Sequence, residues 1–425
     1  MITMPNRLKN FRTLGVLLLA AVACTREPLD VYFALPGEPV ASDVPVAFAV
    51  GGQPTKGQAP ITSLAALAEQ DFSVSAWYSP KGETFDGEHS VKYFGNHRFG
   101  YVTSDLAGET TFPNPWQGVA PHASAGIVNA NSVYWPADGT LSFFCYAPDR
   151  EGDAADIVVE DPVTDDGIAA RLPGYLAGSP LIRVTPAETA ANQADFLASP
   201  ALLDCSRYDA GGTFPLDFSK HRMTQVEFWF AYKGTLQNDP SQTQTFEQAR
   251  VSSIEIRNVV GSKYCYFTEA PDRTLGCRWS ENVSSADPAD GSAALPQATY
   301  RLVSATGGEL KTGLDASLED IEEGGNYRFI NDTPTGHLFL LPQTLPADAQ
   351  LVINYAILNL YAGTRISEVV TLDLAGDGRT EWPEGKVVRY LLTLDLPERG
   401  VVGVKTMIIP WEDAGVPYYE QEMLY

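Results

Sequence analysis

Few side chains in this 425-residue sequence stand at spacings that chemistry requires. The five histidines are His89, His97, His122, His221 and His337, and none has a metal-ligand spacing such as His-Glu-x-x-His. No Gly-x-Ser-x-Gly elbow, Walker loop or Gly-x-Gly-x-x-Gly after a strand occurs. His221, in FSKHRMTQVEF, suits a hydrogen-bonded histidine at the start of a strand better than a catalytic base. Asp161, Asp165 and Asp166 in DPVTDDG, and Asp373 and Asp377 in DLAGDG, gather oxygens of the kind calcium takes. Neither run has the twelve-residue calcium-loop spacing, and Asp beside Gly is also turn chemistry. Acid–base catalysis would need a cleft with paired carboxylates, and no pair is singled out. The sequence therefore assigns no catalytic residue, cofactor or metal ligand, and the expectation is a non-enzyme. Trp116, Trp135, Trp382 and Trp411 each lie near Pro or Gly at a strand end. Converging on an exposed face they would hold a sugar; otherwise they plug the open ends of sandwiches.

Cysteine chemistry is more informative. Arg7, Lys9 and Arg12 precede an apolar run over residues 14–23, followed by Cys24. Ten apolar residues suit a signal peptide and fall short of the roughly 20 needed to span a bilayer. Ala21-Val22-Ala23-Cys24 is similar to a bacterial lipoprotein box. The expectations are a signal peptide over 1–23, a lipid on Cys24, a Pro-rich tether over 24–43, and an outer-membrane, cell-surface location. Cys145, Cys205, Cys265 and Cys277 remain, at spacings that fit no zinc pattern. Cys265 and Cys277 are near enough in sequence to close a loop; bridges and buried thiols both stay open for the four.

A formal charge of −24 with no cluster of Lys and Arg argues against a nucleic-acid partner. At 44% hydrophobic and 19% charged, the chain is globular rather than disordered. Apolar residues recur at period two, the mark of half-buried strands. Val44, Val46, Phe48 and Val50 share one face of VPVAFAV, and Pro45 suits a sheet edge. Residues 72–78, 226–232, 254–256, 388–396 and 402–408 alternate likewise. LSFFCYAP (141–148) and LVINYAILNLY (351–361) are apolar on both faces. Helical pattern is confined to 61–70 and part of 186–203. Many short strands with frequent turn residues predict an all-β protein of sandwiches. The length predicts two domains, with the boundary at the Gly-rich run after Asp209: 44–209 and 210–425.

Several segments in series resemble the fimbrillin (Mfa-like) family of Bacteroides-type bacteria, subunits of type V pili. They are the signal ending at Cys24, VPVAFAV leading to Thr55-Lys56-Gly57, SVYWPADGTLSFFCYAP (132–148), FPLDFSKHRMTQVEFWF (214–230), EWPEGKVVRYLLTLDL (381–396) and IIPWEDAG (408–415). The resemblance implies two transthyretin-like Greek-key β-sandwich domains in tandem. It also implies a structural or adhesive pilus (fimbria) subunit assembled by β-strand donation after proteolysis removes the first strand. The removable strand would carry Val44, Val46, Phe48 and Val50, and the cut would fall at Lys56, where the family usually has Arg. The donor would come from residues 404–425, including Val404, Ile408, Met423 and Tyr425. Implied partners are other pilin subunits, the membrane through the lipid anchor, and a host or bacterial surface receptor. The alternative is a glycan-binding outer-surface lipoprotein, which needs the tryptophans on an exposed face.

Overall fold

Strands with apolar residues on alternate positions must stack into layers to bury them, and a computed structural model of the chain shows four principal sheets doing so. It describes residues 41–51, 71–87, 89–101, 116–118, 133–149, 156–160, 172–209, 213–233, 247–268, 276–280, 297–303, 328–329, 338–359, 363–376, 380–395 and 400–411. Residues from Ala41 onward form one compact unit. The protein is an all-β sandwich fold; the helical pattern in 186–203 yields only the three-residue 3-10 turn Ala190–Asn192. Residues 61–70 lie outside the described residues. Among the described residues no helix is long and apolar enough to cross a membrane.

The first sheet runs in the order Leu197–Ala198, Thr140–Ala147, Phe72–Ser79, Val91–Tyr101, Trp116–Gly118, Ala47–Gly51, Thr213–Asp217, with Leu202–Cys205 also on Thr140–Ala147. It curls on itself. Phe48 and Phe143 lie four strands apart in that order, which would separate them by about 19 Å in a flat sheet. Their ring centroids are 5.1 Å apart. The curl encloses an aromatic core of Phe48, Phe72, Phe99, Phe143, Trp135 and Phe214 with aliphatic neighbours. Ser199 ties the two ends: its amide donates to the Cys145 carbonyl and its hydroxyl accepts from the Asp217 amide, each at 3.1 Å.

Phe72–Ser79 and Thr140–Ala147 are buried on both faces. Their second face packs Trp77, Phe144 and Tyr146 against a four-stranded sheet of Gly276–Trp279, Lys263–Thr268, Leu181–Val184 and Ile157–Glu160. The other two principal sheets form a second sandwich. One holds Arg328–Phe329, Thr224–Lys233, Lys386–Asp395 and Gly400–Pro410, with Leu338–Leu340 also on Thr224–Lys233. The other holds Gln297–Val303, Glu247–Val260, Gln350–Asn359 and Thr364–Asp373. Val226, Phe228, Phe230, Val388, Tyr390 and Leu392 meet Ile254, Ile256, Ile353 and Tyr355 between them, on the faces that alternation predicts.

Two features are not local. Thr213–Asp217 lies beyond residue 209 yet pairs in parallel with Ala47–Gly51. Lys263–Thr268, also beyond residue 209, pairs antiparallel with Leu181–Val184. A cut at 209/210 therefore passes through two sheets. The stretch 44–50 is also not one strand: Ala41–Pro45 pairs with Tyr134–Pro136 and Ala47–Gly51 joins the first sheet. Pro45 has no amide hydrogen to extend a ladder, and the pairing with Tyr134–Pro136 ends there. The amide of Val46 instead donates to Val133 O at 2.8 Å.

Candidate functional site

Ala47–Gly51 occupies an interior position. On one side Ala47 and Phe48 stand opposite Gln117 and Trp116, antiparallel. On the other, five residues pair in parallel with Thr213–Asp217, from Ala47↔Thr213 to Gly51↔Asp217. Phe48 is wholly buried and meets Phe99 and Phe143 edge-on, each at 5.1 Å, and Phe72 at 6.2 Å. Val46 is buried and Val50 packs partly on the same core, while Val44 is exposed. Lifting this strand out would unpair backbone groups on two neighbours and open a cavity the size of a phenyl ring. Asp71, just before Phe72, has a carboxyl whose pKa is raised because burial outweighs the pull of Arg98, and Asp149 adds repulsion.

Cys24, Lys56, Met423 and Tyr425 lie outside the described residues. Val404 and Ile408 stand in Gly400–Pro410, which is paired along its length with Lys386–Asp395. Val404 packs against the second sandwich core, and Ile408 is 54% exposed. These two candidate donor residues therefore already belong to a ladder of their own chain.

The four tryptophans do not converge on a surface. Trp116, Trp135, Trp382 and Trp411 are all buried, at 1–5% exposure. Trp116 leans on Phe72, Trp135 packs between Phe143 and Phe214, and the Trp382 indole N–H donates to Tyr390 Oη at 2.9 Å. They fill cores, which removes the sugar platform that the glycan-binding alternative requires of them.

His221 is the hydrogen-bonded residue that its position predicts. Its Nδ1 lies 2.8 Å from Asp195 Oδ2, and its ring stacks on Trp411 at 4.1 Å. Gly385 makes room for this loop, since a Cβ there would lie 3.0 Å from the His221 carbonyl and its φ is +64°. His89 pairs with Asp86 on the surface, and His97 lies beside Phe94 and Phe99. His122, His337, Asp161, Asp165, Asp166 and Asp377 lie outside the described residues; Asp373 ends Thr364–Asp373 and is exposed. Among the described residues no group of three or more His, Cys, Asp or Glu is placed to hold a metal ion. Cys265 and Cys277 form a disulfide across neighbouring strands, whereas Cys145 and Cys205 are buried free thiols. Burial pushes the Cys205 thiol up to about 12, with Asp209 and Asp204 adding to it, and pushes Cys145 well above its ordinary value.

Sequence reasoning missed one charged group. Alternation in QVEFWFAY leaves Gln225, Glu227 and Trp229 on the face turned away from the sandwich core, yet all three are buried. Glu227 Oε2 accepts from Arg389 Nε at 2.8 Å and from the Trp229 indole N–H at 3.0 Å; its other oxygen accepts from Gln225 Nε2 at 2.9 Å. The Arg389 guanidinium also lies 4.6 Å over the Trp229 ring. The available signal was Trp229, a large aromatic on the nominally polar face.

No protein-family model matches the chain, and no curated protein matches it. Among solved structures, a candidate cell adhesion protein from Bacteroides uniformis is similar at 12% identity and a TM-score of 0.41, covering 87% of this chain and 99% of its own. One from Bacteroides ovatus is similar at 10% identity and a TM-score of 0.39, covering 88% and 98%. One from Bacteroides eggerthii is similar at 11% identity and a TM-score of 0.33, covering 89% and 98%.

Proposed function

We propose that this chain is a structural or adhesive subunit of a cell-surface pilus, anchored to the outer membrane through Cys24. Assembly proceeds by strand exchange: cleavage at Lys56 frees the first strand, and an extended strand of another subunit takes its place. The observation that carries this reading is the seat of Ala47–Gly51, an interior strand whose Phe48 is buried among three other phenyl rings. The seat that such a strand vacates offers an incoming strand both halves of a recognition code, namely unpaired backbone groups on each flank and a pocket for an alternate side chain. Gly400–Pro410 is already paired in its own sheet, so the donor segment lies in residues 412–425 of the candidate tail.

The test is Lys-directed proteolysis of the full chain beside a Lys56→Gln variant. The expected result is a new N-terminus at Gly57, loss of residues 41–56 from the folded part, and conversion of monomer to higher oligomers. Lys56→Gln stays intact and does not convert. A synthetic peptide of residues 44–51, added in excess, blocks the conversion. A cleaved chain that has lost the strand, remains monomeric and ignores the peptide would end the proposal.

A further inference from the structure

Gly400–Pro410 pairs with Lys386–Asp395 from Asp395↔Gly400 to Lys386↔Pro410. Its side chains hold it only lightly toward the C-terminal end. Every residue from Val404 to Pro410 is half-buried or exposed, with Ile408 at 54%. Val404 packs partly on the second sandwich core, and Ile409 partly on the cluster that contains Phe339 and Trp411. Pro410, in the last pair, has no amide hydrogen to donate. The next residue, Trp411, is buried at 5% exposure. A strand with few buried side chains opens locally from its end unless something pins that end.

Trp411 sits in a socket built from two other parts of the chain. Its ring stacks on His221 with centroids 4.1 Å apart and planes 5° apart, and on Phe339 at 6.0 Å and 10°. Both partners are themselves held. His221 Nδ1 lies 2.8 Å from Asp195 Oδ2, His221 forms a backbone bridge with Leu197, and the Arg222 amide donates to Phe196 O at 3.0 Å. The Phe339 amide donates to Gln193 Oε1 at 2.7 Å. One short segment, residues 193–197, therefore fixes both walls of the socket. The turn before Lys386–Asp395 is tied to the same place: the Gly385 amide donates to Met223 O at 3.0 Å, and Glu384 pairs with Arg222.

We infer that Trp411 is a latch. Seated against His221 and Phe339, it pins the end of Gly400–Pro410 and makes residue 411 the boundary between the strand the chain keeps and the segment it donates. The donor boundary rests on the strand-exchange reading; the pin itself does not. A pull on residues 412–425 meets the Trp411 socket first, so the ladder is not unzipped pair by pair from Lys386↔Pro410.

The experiment is hydrogen exchange read by mass spectrometry on the full chain in a Lys56→Gln background, which keeps the first strand in place and needs no second subunit. Trp411→Ala is expected to speed exchange in residues 400–410 on the order of 100-fold or more, near the lower end of what a buried Trp→Ala change loses. Thr224–Lys233, in the same sheet, changes much less. Trp411→Phe keeps a ring on His221 and recovers most of the protection. His221→Ala removes one wall, leaves the indole and gives the same pattern more weakly; it carries the test if Trp411→Ala fails to fold. A Lys-directed protease reads the same event at Lys405, which resists in the parent and is cut in Trp411→Ala, releasing residues 406–425. Unchanged exchange in residues 400–410, an equal rise in Thr224–Lys233, or a parent already cut at Lys405 would overturn the latch. Each of these leaves strand exchange standing, and a chain that never oligomerises leaves the latch standing, so the two fail separately.

Discussion

Replacing Phe48 with Ala probes the hold on Ala47–Gly51 directly. The side chain is fully buried and contacts Phe99, Phe143 and Phe72 edge-on. A buried Phe→Ala change ordinarily costs about 3–5 kcal/mol through lost transfer energy and the residual cavity. Each aromatic pair lost adds its share, on the order of 1 kcal/mol, so the upper part of that range is expected. Phe48→Leu keeps most of the volume and loses the ring contacts, at about 1.5 kcal/mol or less. Val44, two strand positions before the core begins and 36% exposed, serves as the control: Val44→Ala stays within about 0.5 kcal/mol. The assay is urea unfolding followed by tryptophan fluorescence, which reports well because none of the seven tryptophans is exposed. The same numbers extend to strand exchange. A 44–51 peptide carrying the Phe48→Ala change binds the vacated seat about 1,000- to 5,000-fold more weakly than the natural peptide. If Phe48→Ala costs less than about 1 kcal/mol, or no more than Val44→Ala, the strand is not held by its core residue and the reasoning fails.

Two further outcomes follow from the buried polar groups. Glu227→Ala leaves the Arg389 charge buried at 3% exposure and costs about 3–5 kcal/mol, whereas Glu227→Leu combined with Arg389→Met costs less than either single change; chemical denaturation of the three variants decides it. Alkaline stability depends on the thiols. The folded chain holds the Cys205 proton to about pH 12 while the unfolded chain releases it near 9.0, so this contribution is intact below about pH 9 and is lost as pH rises through that window. The slope is about 1.4 kcal/mol per pH unit for each such thiol, and Cys145→Ala with Cys205→Ala flattens it; an unchanged slope between pH 9 and 11 would contradict the assignment.

The strands themselves could be recognised from the chain order of residues. Val226, Phe228 and Phe230, and Val388, Tyr390 and Leu392, face the core as their period of two requires, because a pleated strand can bury only alternate side chains on one side. LSFFCYAP was apolar on both faces, and Thr140–Ala147 lies between two layers. Even His221 could be placed beside a hydrogen-bonding partner from its position before a strand.

What only the tertiary structure decided was which strands meet. Thr213–Asp217 pairs with a strand more than 160 positions earlier, and Lys263–Thr268 with Leu181–Val184 across the apparent domain boundary. Ladder hydrogen bonds join backbone groups that every residue carries, so pairing leaves little trace in local sequence. The same holds for burial on a second face. Glu227 looks solvated in its own strand, and it is the neighbouring parallel strand with Arg389 that closes around it. Tryptophans near strand ends could equally line a surface or fill a core, and the packing of the sheets buried all four candidates. Local period dictates the faces of a strand; the packing of distant strands dictates what each face meets.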